Sequence, residues 1–405
     1  MGSLETTVEN PQLGNLCNHQ RATILGIGKA VPRHEFQQKS YADYYFEITN
    51  SNHMEDLQAK FANICAKTMI EKRHLYFSDD MLRSNPSVMV HDSPSLTLRQ
   101  ELADAGVPEL GAEAARNAIG DWGRPATDIT HLVLATSCTG RMPGADCELA
   151  RLLGLRPSTR RLALYQAGCH GGCAALRLAK DLAENNRGSR VLVVCSEVCA
   201  LSLRGPSPSH VGDLVGQAIL GDAAGAAVVG CVAAGGAGGE RGVFELVAAH
   251  QETVPGTEEA LAARLRGDGI VYTLRRDIAL HVSGAVERLA ERVLREAGSP
   301  APEKNGEVFW VVHPGGRGIL DGVESRLGLG EEKLAASRAV MRQYGNTRCS
   351  SVMLVMEEMR RRSEEQGRRT AGEGLQWGLA VSYGPGITVE TILLRALPYK
   401  DASTL

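Results

Sequence analysis

The stretch LALYQAGCHGGCAALRLAKDLA, residues 162–183, changes its hydrophobic period across one turn. Leu162 to Tyr165 form a short apolar run of strand type, and beyond Gly168 the residues Cys173, Leu176, Ala179 and Leu182 recur at helical spacing. Cys169 is therefore expected at the start of a helix. There the helix dipole and free backbone N–H groups stabilise a thiolate, which predicts a lowered thiol pKa and a nucleophile. Glycines on both sides leave room for a thioester. A small residue buried at a tight turn would leave the same trace, so the local pattern admits both a catalytic and a structural cysteine.

The surrounding sequence places this unit in an α/β fold. A first strand, ATILGIGKAVP (22–32), stops at Pro32, and residues 35–75 carry helical spacing through Phe46, Leu57, Phe61, Ile64 and Met69. A long helix over 96–121 precedes strand HLVLATS (131–137), the strand ending in YQAGC (165–169), a helix over 171–186, strand VLVVCSE (191–197) and GDAAGAAVVG (221–230). The order returns in EVFWVVHPGG (307–316), YGN (344–346), a helix over 349–366, strand WGLAVSYGPG (377–386) and ITVETILLRAL. The step from strand end to the loop before the helix runs 137–169 in one half and 312–346 in the other, which argues for duplication. Alternating strands and helices predict parallel or mixed sheets covered on both faces, here two sheets back to back around shared helices. The Gly-rich AAGGAGGERG (233–242) reads as the surface link between a half over 1–240, which carries Cys169, and a half over 241–405.

Bulk composition narrows the function classes. With 405 residues and 43% hydrophobic content the chain can bury a large core. The 44 basic and 47 acidic residues leave a net charge of −3, so nothing draws it toward nucleic acid or an anionic membrane. No run of 18 apolar residues occurs, and MGSLETTVENPQLGN has neither a basic nor an apolar leader region, so a cytoplasmic protein is expected. The ten cysteines form no dense framework and read as reduced thiols. Cys169/Cys173 and Cys195/Cys199 have a spacing that can bind metal on a helix, but one pair spans a turn and the other starts in a strand, so no metal is expected.

His313 ends an apolar strand before Pro314-Gly315-Gly316, which should bring its imidazole out at the carboxyl edge of a sheet, where ligands bind. Asn346 follows Gly345 and opens the second helix, so duplication would bring it to a place mirroring Cys169; alone, it could equally be a helix cap. Together the three types fit one chemistry. The cysteine holds an acyl group, while a neutral histidine and an asparagine donate hydrogen bonds to a thioester oxygen and to the enolate left when malonyl-CoA loses carbon dioxide.

The passages MPGAD (142–146), LYQAGC (164–169), VLVVCSE (191–197), RGPS (204–207), LVGQAILGD (214–222), WVVHPGG (310–316), YGN (344–346) and YGPG (383–386) occur in an order that resembles the chalcone synthase family of plant type III polyketide synthases. The resemblance covers about residues 20–397. It implies a thiolase fold, a duplicated αβαβα five-layer core, and a homodimer in which Met142 reaches the partner's cavity. It also implies a CoA-linked starter, of phenylpropanoid type, extended by malonyl-CoA, with these CoA thioesters as substrates and no further cofactor. Cys169, His313 and Asn346 fall on the family triad, and Gly384 and Pro385 on its GPG loop. Lys60 and Lys67 match two of three basic residues that grip CoA phosphates, and Asn63 stands at the third.

Departures from the family pattern cluster at cavity positions. Ser137, Cys199, Ser202, Ala263, Leu220 and Tyr272 match places usually held by Thr, Thr, Thr, Gly, Phe and Phe. Leu220 loses an aromatic wall, Ala263 should narrow the elongation space by a methyl group, and Arg348 stands where a small Ser is usual. Two other readings stay open on the sequence. The order Cys, His, Asn, with His313 lying 144 residues beyond Cys169, also fits a cysteine hydrolase, and Asn63 with Arg348 also fits a non-catalytic binding member of the family.

Overall fold

The computed structural model describes residues 21–232, 240–296 and 307–399. The amino-terminal start and most of the Gly-rich link at 233–242 lie outside the described residues. In the first half β1 (Ala22–Ala30) leads into the hairpin of β2 (His34–Gln37) and β3 (Lys72–Leu75), which brackets α1 (Gln38–Ile48) and α2 (Glu55–Lys67). Then come α3 (Asp79–Ser84), the long α4 (Leu96–Trp122), β4 (His131–Thr136), α5 (Ala145–Leu152), β5 (Arg160–Tyr165), α6 (Gly171–Asn185), β6 (Arg190–Glu197), α7 (Asp213–Ile219) and β7 (Ala223–Cys231). The second half holds β8 (Phe244–Thr253), the hairpin β9 (Leu261–Arg266) and β10 (Gly269–Leu274), α8 (Ile278–Glu296), β11 (Phe309–Val312), α9 (Arg317–Leu327) and α10 (Ala335–Tyr344). It closes with α11 (Ser351–Glu365), β12 (Trp377–Gly384) and β13 (Thr388–Ala396).

Strand order displays the duplication. The first half runs β5-β4-β6-β7-β1 and the second β11-β12-β13-β8, with β4/β6 and β11/β12 parallel and the following pairs antiparallel. Thus β1, β4, β6, β7 and α6 correspond to β8, β11, β12, β13 and α11. Among the described residues β11 has no outer neighbour to match β5. One feature differs from the expectation of two separate sheets: the ladders join edge to edge through the antiparallel β1–β8 contact, made only by Thr23 with Glu245 and Ile24 with Phe244. Two residue pairs let the sheet fold back on itself across this seam, so the shared helices are still enclosed.

Side-chain alternation builds the layers. On β6, Leu192 and Val194 face the outer core with α4, while Val191, Val193 and Cys195 face a middle core shared with α6 and α11. On β11, Phe309 and Val311 face that middle core, and Trp310 and Val312 face an outer core with α8 and α9. Period-2 strands with both faces buried, covered by helices on each side, give the five-layer αβαβα arrangement. Each fully buried Leu, Ile, Val, Phe or Met contributes roughly 1.5–3 kcal/mol. Among the described residues, no helix is long and apolar enough to cross a membrane, and nine cysteines are free thiols.

The middle layer is tight where α6 and α11 begin. A Cβ on Gly172 would lie 2.4 Å from the Cys349 carbonyl oxygen, so only glycine lets the two helix starts approach this closely. Gly172→Ala is expected to destabilise the protein by about 1–3 kcal/mol through overpacking, read as a lower urea midpoint with an unchanged slope. A neutral result would show that the helices part at no cost.

Candidate active site

The turn that carries Cys169 is fixed from three directions. Gly168, at φ +66°, has the left-handed backbone that the abrupt step from β5 to α6 requires, and its N–H donates to Ser137 Oγ at 3.0 Å. Ser137 sits just past the end of β4, so the sheet edge holds the loop. From the other half, Gly384 and Pro385 close over it: a Cβ on Gly384 would come 3.1 Å from Cys169 N, and one on Gly168 would come 2.7 Å from Pro385 Cδ. Cys169 itself is partly accessible.

Asn346 is the bridge between the halves. Its Oδ1 lies 4.0 Å from Cys169 Sγ and accepts from the Arg348 N–H at 2.9 Å, while Nδ2 donates to the Gly315 carbonyl at 3.1 Å. Its backbone N–H donates to Ile219 and its carbonyl accepts from Gly221, which fixes Leu220 beside it. Two residues before Gly315, His313 is 1% exposed, and both ring nitrogens lack hydrogen-bond partners. Its ring packs edge-on against Tyr383 at 5.0 Å, and the Tyr383 hydroxyl donates to the His313 carbonyl at 3.0 Å. The ends of β11, β12 and α10 and the starts of α6 and α11 thus converge on one point.

Electrostatics overturn one expectation from sequence. Burial, with the Glu197 charge adding to it, pushes the Cys169 thiol up to about 12, against the opposing pull of Arg348 and Asn346. The helix-start argument predicted the reverse; desolvation of a thiolate outweighs a dipole acting over one turn. Burial likewise pushes His313 down to about 3. At neutral pH the resting pair is therefore a thiol and a neutral imidazole.

Beside the pair lies a buried charge cluster. Arg348, 4% exposed and at φ +56°, places Nε 3.7 Å from Glu197 Oε2 and Nη2 3.7 Å from Asp222 Oδ1, with Cys199 Sγ at 3.8 Å. Burial opposes its charge, but Cys138, Cys199, Glu197 and Tyr272 together hold its proton more tightly than usual. Asp222 is pushed up by burial despite Arg348. Glu197 also accepts from the thiols of Cys138 at 2.7 Å and Cys349 at 3.1 Å and from the Ser137 N–H at 3.2 Å.

The remaining residues singled out from sequence divide into two groups. Leu220, Cys199 and Ser202 line, with Arg73 and Gln217, a residual cavity of about 10 Å³, and Tyr272 is a close electrostatic neighbour of Arg348. Ala263 is exposed on the β9–β10 hairpin, paired across from Tyr272, so its methyl group is not buried in the cavity wall. Met142 is 96% exposed. Lys60, Asn63 and Lys67 lie on the exposed face of α2, whose buried residues Leu57, Phe61 and Cys65 face inward. Sequence reasoning missed Glu197, Asp222 and Tyr383. The signal was present for the two acids, since each sits at the end of an otherwise apolar or small-residue run that forms a buried strand.

The comparison with protein families agrees with this architecture. A model described as chalcone and stilbene synthases, N-terminal domain, matches residues 11–233, and one described as chalcone and stilbene synthases, C-terminal domain, matches residues 245–398.

Two outcomes follow from the charges. Arg348→Met leaves Glu197 and Asp222 buried without their cation and should cost about 3–5 kcal/mol in urea unfolding. The triple change Arg348→Met, Glu197→Gln, Asp222→Asn should cost less than Arg348→Met alone, and the opposite order would refute the ion-pair account. For His313, the folded pKa near 3 against 6.5 unfolded means that the unfolded chain takes up a proton first as pH falls. Stability is therefore lost from about pH 6.5 down to about 3 at roughly 1.4 kcal/mol per unit. His313→Gln should flatten that slope by about one proton in calorimetric scans across the window.

Proposed function

The chain belongs to the chalcone and stilbene synthase family of type III polyketide synthases, and from that premise we propose that it condenses a CoA-linked starter with malonyl-CoA on Cys169. The observation that carries this reading is His313, buried with two unpartnered ring nitrogens beside Cys169 and Asn346. A buried polar group without a partner in a native structure calls for one, and a thioester oxygen is the partner that fits.

The sequence of steps uses only groups in place. Cys169 loses its proton as Sγ attacks the starter carbonyl, and neutral His313 is the acceptor type at hand; CoA leaves as the thiol with that proton. Malonyl-CoA then breaks the bond to its carboxyl group, releasing carbon dioxide, and the electron pair stays as an enolate. N–H groups of His313 and Asn346 hold the enolate oxygen. Its carbon attacks the Cys169-bound carbonyl, forming the carbon–carbon bond and expelling the Cys169 thiolate, which is reprotonated. No cofactor beyond the thioesters takes part.

Other parts of the reading rest on weaker supports. Lys60 and Lys67, both free at the surface of α2, are the groups for CoA phosphates. Leu220, Cys199, Ser202, Tyr272 and Arg348 leave little space beside Cys169, which favours a short extension of a phenylpropanoid starter over a long one. The unpaired edge of β5, with Leu162 39% and Tyr165 41% exposed, and the exposed Met142 suit burial in a homodimer. A cytoplasmic location completes the reading.

A panel of aromatic and fatty acyl-CoA starters with carbon-13 malonyl-CoA, followed by product mass and by intact-protein mass, tests it. Acylation of Cys169 and products carrying one to three labelled two-carbon units are expected, with neither in Cys169→Ala. Asn346→Ala should slow decarboxylation by about 10²–10³. Absence of any thioester on Cys169 with every starter would instead establish a non-catalytic binding member of the family.

A further inference from the structure

Away from the reaction centre, two loops bring a second set of ligating groups together. His91 and Asp92 lie in the loop before α4, and His210 and Asp213 at the start of α7. One ligand atom each from His91, Asp92 and His210 lie within 4.8 Å of one another. The side chain of His91 is 10% exposed; its Nε2 faces Asp213 Oδ2 at 3.3 Å, and its Nδ1 lies 3.0 Å from Asp92 Oδ2 yet makes no hydrogen bond. With the proton on Nε2 toward Asp213, the Nδ1 lone pair points at a carboxylate oxygen. Two lone pairs in contact need a cation between them.

The geometry points to a binding site for a divalent ion of the zinc class, with His91 Nδ1, Asp92 and His210 as ligands and Asp213 orienting His91. Three features support it. Cis ligands at about 2.0–2.2 Å from zinc stand about 2.9–3.4 Å apart, which matches the 3.0 Å between Nδ1 and Asp92. The two imidazole centroids are 4.7 Å apart with planes 22° from parallel, and two rings ligating one ion at about 2.1 Å with a near-right angle between them have that separation. A carboxylate on the far nitrogen of a ligating histidine is the usual outer-shell partner, and Asp213 supplies it. His210 Nδ1, 3.1 Å from Ser209 Oγ, donates there when its lone pair is on Nε2.

The competing charges are accounted for. Arg204 faces the same depression but is engaged by Asp268 at 2.7 Å, and Arg266 is exposed at its rim. The depression, about 350 Å³, gives an ion room for water or an outside ligand in its open positions. Two imidazoles select Zn²⁺, Co²⁺, Ni²⁺ or Cu²⁺ over Mg²⁺ and Ca²⁺. The sequence-based expectation of no metal weighed only the cysteine pairs. An ion here would tie the loop before α4 to α7, the helix that ends at Leu220.

Zinc titration by calorimetry on the full-length protein, with bound metal counted after gel filtration, provides the test. About one equivalent of Zn²⁺ per chain is expected, and the Co²⁺ form should show visible d–d bands without the near-ultraviolet thiolate charge-transfer bands of a cysteine site. His210→Gln, at an exposed position, and His91→Gln should each weaken binding at least tenfold, while His34→Gln, a distant exposed histidine, should leave it unchanged. Circular dichroism and thermal melting establish that each variant is folded, and His210→Gln alone suffices should His91→Gln fail to fold. No stoichiometric binding, thiolate bands in the Co²⁺ form, or affinity unmoved by His210→Gln would each overturn the proposal. None of these readouts depends on polyketide synthesis, so the site and the proposed reaction stand or fall separately.

Discussion

The close contact between the starts of α6 and α11 is the constraint on which the molecule depends. Gly172 admits the Cys349 carbonyl at a distance that no side chain would allow, and Cys349 Sγ in turn donates to Glu197 and to the Ala135 carbonyl. One half of the chain thus supplies the helix that begins at Cys169, and the other the helix preceded by Asn346 and Arg348. Neither half contains a site alone. The alternating strands and the outer helices fix this pair of helix starts by burying apolar surface on both sides of the middle layer, where a shift of either sheet would cost several side chains their cover.

That geometry sets the electrostatics. Five layers exclude water from the centre, so charge is costly there unless it is paired. Cys169 and His313 meet the constraint by resting neutral, which suits a thiol and an imidazole that exchange a proton only when substrate arrives. Arg348, Glu197 and Asp222 meet it by pairing, at 3.7 Å contacts that are ion pairs without good hydrogen bonds. Glu197 raises the Cys169 thiol and Arg348 lowers it. The nucleophile is consequently poised between two buried opposite charges, and the residue that departs most from the family pattern is one of them.

How much of this could be read from sequence depends on the range of the interaction. The apolar runs that become β4, β6, β11 and β12, the helices after Cys169 and Asn346, and the duplication are local in period, and the elements form where the periods change. The β1–β8 seam could not be read, because two residue pairs between distant strands leave no pattern in either. The Cys169 thiol was misjudged for a related reason: the dipole is visible locally, but burial by Gly384 and Pro385 and the charge of Glu197 come from elsewhere in the fold. Ala263 matched a cavity position, yet its hairpin leaves it exposed. Glu197 and Asp222 were legible in principle, since an acid within a fully buried run demands a cation, and Arg348 was the unexplained cation in the sequence.

Arg348 shows why a substitution at one position must be read with its surroundings. A guanidinium in place of a small residue fills volume, but volume alone would only shorten the cavity. Its left-handed backbone and its two carboxylate partners also commit it to one orientation, away from the Asn346 amide whose Oδ1 its own N–H holds. The Asn346 carboxamide is thereby oriented with the oxygen occupied and Nδ2 anchored to Gly315 by one of its two N–H bonds. The second N–H is left to donate. Arg348 therefore narrows the space available to a growing chain while its backbone keeps the asparagine donor aimed, and the two effects come from separate parts of one residue.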